Sequence, residues 1–178
     1  MKNILLSFSL LLSLSFLYAQ TPEVPEYGHS LGFSGGLATG TGFTYRYLQD
    51  FGYSVSALAY YNSTNSGLTT SDSPSYFYFL GGSVMKKLFY FSSMNNNFYS
   101  LLYVFWGGTL FGGSVSESPW HGLSLSTGPG LGIEFGLLQH LALYFEVSQG
   151  GTIYLLKPNR LADFDLGPLV GGGIVYRF

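Results

Sequence analysis

The stretch from Leu123 to Leu138 constrains the fold more than any other part of this sequence. Leu123, Leu125, Thr127, Pro129, Leu131, Ile133, Phe135 and Leu137 share one parity, and Ser124, Ser126, Gly128, Gly130, Gly132, Glu134 and Gly136 fall between them. Successive side chains of an extended strand point to opposite faces, so alternation over this length predicts a strand with one apolar face and one small or polar face. The same period recurs where Leu141, Leu143, Phe145 and Val147 alternate with Ala142, Tyr144, Glu146 and Ser148. At the C-terminus, Val170, Ile174, Tyr176 and Phe178 oppose Gly171, Gly173, Val175 and Arg177. Nearer the N-terminus, Phe43, Tyr45 and Tyr47 alternate with Thr44, Arg46 and Leu48, and Leu31, Phe33 and Leu37 with Gly32, Ser34 and Gly36.

Three less regular segments, 53–61, 76–85 and 98–107, complete a set of eight strands. Both faces are apolar in 76–80 and in 101–106; there we expect Tyr76, Tyr78, Leu80 and Val84 to face outward, and likewise Tyr99, Leu101, Tyr103 and Phe105. The connections alternate in character. Residues 49–52, 92–97 and 138–140 read as turns, whereas 63–75, 112–122 and 151–165 are longer, polar or Pro-containing. Residues 39–41 break this rule, being short on the long-loop side, and read either as a tight hairpin or as a bend within one strand.

Only 9% of the residues are charged, against about 25% in an ordinary soluble domain, too few to cover a surface facing water. After the first nineteen residues no apolar run approaches the ~20 needed for a membrane-crossing helix. Helices and closed barrels are the two structures that satisfy all their backbone hydrogen bonds in hydrocarbon. The expected fold is therefore all-β: an eight-stranded antiparallel up-and-down transmembrane β-barrel. Its Gly/Ser/Thr face suits the cramped interior of a barrel of this size, which leaves the apolar face toward lipid. Tyrosines gather near strand ends at Tyr45, Tyr47, Tyr53, Tyr60, Tyr61, Tyr76, Tyr78, Tyr99, Tyr154 and Tyr176, as interfacial girdles require.

Lys2 followed by the apolar stretch Ile4 to Leu17 and by Ala19 has the form of a secretory signal peptide. The expected organisation is a signal peptide over 1–19, a short periplasmic segment over 20–28 and an outer-membrane barrel over 29–178. With no cysteine, disulfides, thiolate metal sites, cysteine nucleophiles and a lipoprotein anchor are all excluded. A net charge near zero without a basic block argues against nucleic acid as a partner.

With the strands laid out in this way, the chain resembles the small outer-membrane β-barrel proteins of the OmpA-like and OmpX-like superfamily. The resemblance covers the layout of the mature chain and is most specific at its end, Gly171-Gly172-Gly173-Ile174-Val175-Tyr176-Arg177-Phe178. A second element is Gly130-Leu131-Gly132-Ile133-Glu134-Phe135, followed after a short turn by Leu141-Ala142-Leu143-Tyr144-Phe145-Glu146. The resemblance implies that Ile174, Tyr176 and Phe178 act as a signal for the barrel-assembly machinery.

Four charges fall on the inward parity: Arg46, Glu134, Glu146 and Arg177. Each lies near a short turn or the C-terminus, and buried charges are tolerated when paired, so these residues are expected to form a salt-bridged cluster closing the periplasmic end of the lumen. The expected role is structural or adhesive, with an extracellular ligand held on the outer loops. A narrow gated pore is one alternative. A lipid A or phospholipid hydrolase is another, and would use His121 with Ser124 or Ser126, supported by Glu117. His29 and His140 read as solvated polar residues. Three scattered histidines show no metal-ligand spacing, so no metal or cofactor is expected. The pairs Gly35-Gly36, Gly107-Gly108 and Gly112-Gly113 are read as sites of bending and close packing in the wall.

Overall fold

The computed structural model describes residues 28–62, 75–92, 98–114, 121–137, 140–156 and 163–178. The strands are β1 (His29–Gly36), β2 (Gly42–Leu48), β3 (Phe51–Asn62), β4 (Ser75–Ser92), β5 (Tyr99–Ser114), β6 (His121–Gly136), β7 (Leu141–Leu156) and β8 (Asp163–Arg177). Each pairs antiparallel with the next, and β8 returns to β1, closing the sheet into an eight-stranded barrel. Every strand has a neighbour on both sides over at least part of its length, which limits the free sheet edge an all-β chain presents.

The alternation read in the sequence separates interior from exterior. Along β6, Leu125 and Leu131 are exposed while Ser126, Gly132 and Glu134 are buried. Along β7, Phe145 and Val147 are exposed while Tyr144, Glu146 and Ser148 are buried. The distribution is inside-out for a protein in water, with Leu166 73%, Phe51 67% and Phe43 66% exposed on the outer face and Arg46 and Glu146 each 1% exposed inside.

β5 departs from expectation. Tyr99, Leu101, Tyr103 and Phe105 face the interior and are buried, whereas Leu102, Val104 and Trp106 face out. Register imposes this, because Leu101 lies opposite Glu134, Tyr103 opposite Gly132, Phe105 opposite Gly130 and Tyr99 opposite Gly136. A Cβ added at Gly132 would lie 2.2 Å from the Tyr103 ring, one at Gly130 2.5 Å from Phe105 and one at Gly136 1.8 Å from Tyr99. The inward glycines of β6 are thus the slots into which the rings of β5 fit. In an all-apolar run the two faces look alike, and the strand across the ladder decides between them.

The ladders also run further than expected. β5 continues to Ser114, β7 to Leu156, β6 starts at His121 and β8 at Asp163, so much of 112–122 and 151–165 is paired strand rather than loop. Gly, Ser and Thr at these ends read as loop residues, yet cross-strand pairing satisfies their backbone groups. β4 extends to Ser92 through an irregularity between Lys87 and Phe89.

β1 and β2 are much shorter, with 8 and 7 residues against 15 to 18 in β4 to β8. Residues 37–41 between them form a hairpin connection that turns into the lumen, with Ala38 fully buried and Thr39 4% exposed. Its main chain takes the left-handed side of φ space at Gly40 (104°) and Gly42 (123°), which L side chains avoid. The Leu37 carbonyl accepts the Thr109 hydroxyl at 3.2 Å and the Thr39 carbonyl the Ser56 hydroxyl at 2.9 Å.

Replacing Gly132 by Val should lower the midpoint of urea unfolding by an amount equivalent to about 1–3 kcal/mol, because the branched side chain competes with the Tyr103 ring in a filled interior. Gly35→Ala meets nothing within 4 Å and should leave the midpoint nearly unchanged. Equal midpoints for the two variants would show that the β5 rings do not need the β6 slots.

Candidate functional site

β2, β6, β7 and β8 bring Arg46, Glu134, Glu146 and Arg177 into one buried group in the lumen. Arg46 lies between the acids, its Nη1 3.7 Å from Glu134 Oε2 and its Nη2 3.7 Å from Glu146 Oε1. Arg177 Nη2 bonds directly to Glu134 Oε1. Two positive and two negative charges make the group neutral, the condition under which buried charges persist.

The tyrosines of β5 and β7 complete the network. Tyr103 accepts a hydrogen bond from Arg46 Nη2 at 2.9 Å and donates one to Glu146 Oε1 at 2.8 Å. Tyr99 donates to Glu134 Oε1 at 2.8 Å. The Arg46 guanidinium lies 3.7 Å from the centroid of Tyr144, and that of Arg177 4.5 Å from Tyr99. A guanidinium is planar and weakly hydrated, so an aromatic face and a carboxylate serve it together where water is excluded. The Thr39 hydroxyl donates to Glu146 Oε2, so the inward hairpin is tied to the charge cluster.

The sequence pointed to the four charges by parity alone. Parity assigns Tyr99 and Tyr103 outward, whereas both face the charges, and the short connection at 39–41 carries no sequence signal of its contact with Glu146. The signal for the tyrosines lay in the glycines of β6, whose slots require large inward partners.

Chemically the arrangement holds rather than reacts. Each carboxylate has an arginine within 4 Å and accepts a tyrosine hydroxyl, and neither faces an open cleft. The tyrosine rings and the ion pairs occupy the short-turn half of the lumen, and the hairpin covers them at mid-height.

Of the hydrolase residues, His121 begins β6 and Glu117 lies outside the described residues. Ser124 is half-buried, and the buried Ser126 hydroxyl shares a 2.9 Å hydrogen bond with Thr152. His29 packs at the short-turn rim between Tyr47 (4.9 Å) and Phe178 (6.2 Å), and its Nδ1 is 2.7 Å from the Tyr45 hydroxyl. His140, half-buried, stacks on Tyr176 at 5.3 Å, while His29 stays exposed, so both histidines add ring contacts at the rim. Ile174, Tyr176 and Phe178 are exposed on the outer face of β8 and its end. Among the described residues no group of three or more His, Cys, Asp or Glu is placed to hold a metal ion.

Arg46→Met removes the cation shared by two buried acids and should cost about 3–5 kcal/mol of unfolding free energy. Tyr103→Phe removes a hydroxyl bonded to both charges and should cost roughly 1.5–3 kcal/mol. Urea unfolding of the two single variants and the double variant measures the coupling, and strictly additive losses would mean that the tyrosine and the arginine act separately.

No protein-family model, curated protein or solved structure matches this chain.

Proposed function

We propose that this chain is an integral outer-membrane protein of the OmpA-like and OmpX-like kind, exported by a signal peptide over residues 1–19. Its lumen is closed and its role is structural or surface-interacting. The observation that carries this reading is the inside-out barrel, in which buried arginines and glutamates are ringed by an exterior of exposed Leu, Phe, Val and Tyr. An apolar belt of this extent is an aggregation hazard in water and the natural surface in hydrocarbon. Lipid is the partner of that belt. The short-turn rim carries Tyr45, Tyr47, Tyr53, Tyr176 and Phe178 and the opposite rim Tyr61, Tyr76 and Tyr78, an arrangement that supports interfacial girdles.

The filled mid-lumen favours a plugged barrel over a gated pore, and no described constellation favours a hydrolase. Ile174, Tyr176 and Phe178 serve recognition by the barrel-assembly machinery, and an extracellular ligand would meet the loops at 63–74, 115–120 and 157–162, which lie outside the described residues. A net charge of −2 with 7 Lys and Arg in the whole sequence argues against nucleic acid as a partner.

Leu131 and Val147 lie mid-strand on the exterior, so Leu131→Arg or Val147→Arg should destabilise the bilayer-inserted barrel by about 2–4 kcal/mol. A soluble barrel would tolerate the same charges, and unchanged stability would sink the membrane reading. In planar bilayers the intact protein should show no discrete current steps; regular openings would favour the pore instead.

Phe178→Ala should lower the amount of assembled barrel in cells while leaving refolding into detergent micelles intact, read as the heat-modifiable band on gels. Equal loss in both settings would make Phe178 a packing residue beside His29 rather than an assembly signal.

A further inference from the structure

Among the described residues, the short β1–β2 hairpin leaves a gap in the barrel wall. β1 meets β8 only as far as Gly36 opposite Gly171, and β2 meets β3 only as far as Phe43 opposite Ala57. Beyond these pairs, the described ladder partner of residues 58–62 of β3 is β4 alone, and that of residues 163–169 of β8 is β7 alone. Two strands are missing between them, a width of three inter-strand spacings or ~14 Å.

Behind this gap the lumen is apolar on its β3–β5 side, while its β6–β7 side carries the buried Ser126–Thr152 hydrogen bond and Asp165 stands opposite Thr152 on the interior parity of β8. Leu58 lies opposite Phe79 and Phe79 opposite Phe111, so the three share the interior face, and Tyr60 lies opposite Phe77 one step above. Phe111 sits 4.6 Å from Phe79 and stacks on Phe77 at 6.1 Å. None of these residues is buried: Leu58, Phe77, Phe79 and Phe111 are partly exposed and Tyr60 is 56% exposed. Residues 38–40 form the floor of this cup.

The gap opens sideways, at the height of the outer interface. Tyr53 to Tyr61 on β3 covers one membrane-crossing strand, about 9–11 residues, which places Leu58 just inside the far girdle. The outer flank of the gap on β8 carries Phe164 and Leu166, both exposed. Water at the interface can satisfy the strand edges while a hydrocarbon chain passes between them. A strand added from a second copy would pair with one edge and leave the other open, so edge pairing does not close the gap.

We propose that the outer half of the lumen is a side-entry binding site for one alkyl chain of an outer-leaflet amphiphile, floored by residues 38–40 and walled by Leu58, Phe79 and Phe111. The chain covers aromatic surface otherwise left open, and the headgroup stays at the interface. The site rests on the membrane reading given above.

Two glycines make the test clean. A Cβ at Gly167 meets nothing within 4 Å; this residue lies opposite the buried Gly150 on the interior parity of β8, so a large side chain there fills the cup without a clash at its base. Gly35 is equally open but lies on the exterior parity of β1. The mature protein is placed in phosphatidylcholine vesicles containing a long-chain fatty acid with a diazirine near its methyl end, irradiated, and its adducts mapped by mass spectrometry. Adducts are expected on Phe79, Phe111 or Tyr60 inside and on Leu131 or Val147 outside. Gly167→Trp should reduce the interior adducts about tenfold, the change that ~1.4 kcal/mol of lost binding produces, and spare the exterior ones. Gly35→Trp should spare both. Exterior adducts without interior ones, as when a loop of the chain occupies the cup, overturn the site, as do interior adducts that persist in Gly167→Trp. Absence of exterior adducts overturns the membrane reading itself.

Discussion

The Arg46 guanidinium, shared between Glu134 and Glu146 and bridged to the second by the Tyr103 hydroxyl, is the interaction on which the interior depends. It joins β2, β5, β6 and β7 at one level and passes through Glu146 to Thr39 on the inward hairpin. An eight-stranded barrel has room inside for side chains and little else. A charge placed there must find its counter-charge within the same layer. With Arg177 held by Glu134 and Tyr99, the layer is neutral and most of its polar contacts are internal. The hairpin and the rings of β5 then pack around a fixed centre.

That centre explains which parts of the fold were legible. Where one face is apolar and the other small or polar, as in β2, β6, β7 and β8, the parity of each side chain can be read from the sequence, and Arg46, Glu134, Glu146 and Arg177 fall on the inward face accordingly. In β5 the reading fails because tyrosine has an apolar body and a polar tip, so Tyr99 and Tyr103 fit a lipid interface as well as a charged interior. What decides is across the ladder: Gly130, Gly132 and Gly136 leave space that only inward rings can fill. The decisive information lies in a pair of strands and not in either strand alone.

The hairpin at residues 37–41 was the least legible element, and for a different reason. Its residues are small, and what distinguishes it is the length of the two strands it joins. β1 and β2 stop at mid-height, so their connection meets the lumen instead of the rim. Close backbone approach then requires glycine on both sides. A Cβ at Gly81 would lie 2.4 Å from Gly40 Cα, and one at Gly107 2.6 Å from the Ala38 carbonyl. Gly81 of β4 and Gly107 of β5 are the sockets of this plug, the close packing being against the hairpin inside the lumen.

Two strands cut short thus have two effects that cannot be separated. The connection they carry blocks the lumen from below, and among the described residues the wall they fail to complete leaves the upper lumen open from the side. A barrel plugged at mid-height and intact all round would hold only a water-filled cup above the plug. With the gap, that cup borders the apolar exterior, and on its β3–β5 side the change from Tyr99 and Tyr103 below the hairpin to Leu58, Phe79 and Phe111 above it follows the change in what the lumen can reach. The same shortening that argues against conduction along the barrel axis provides a path across its wall.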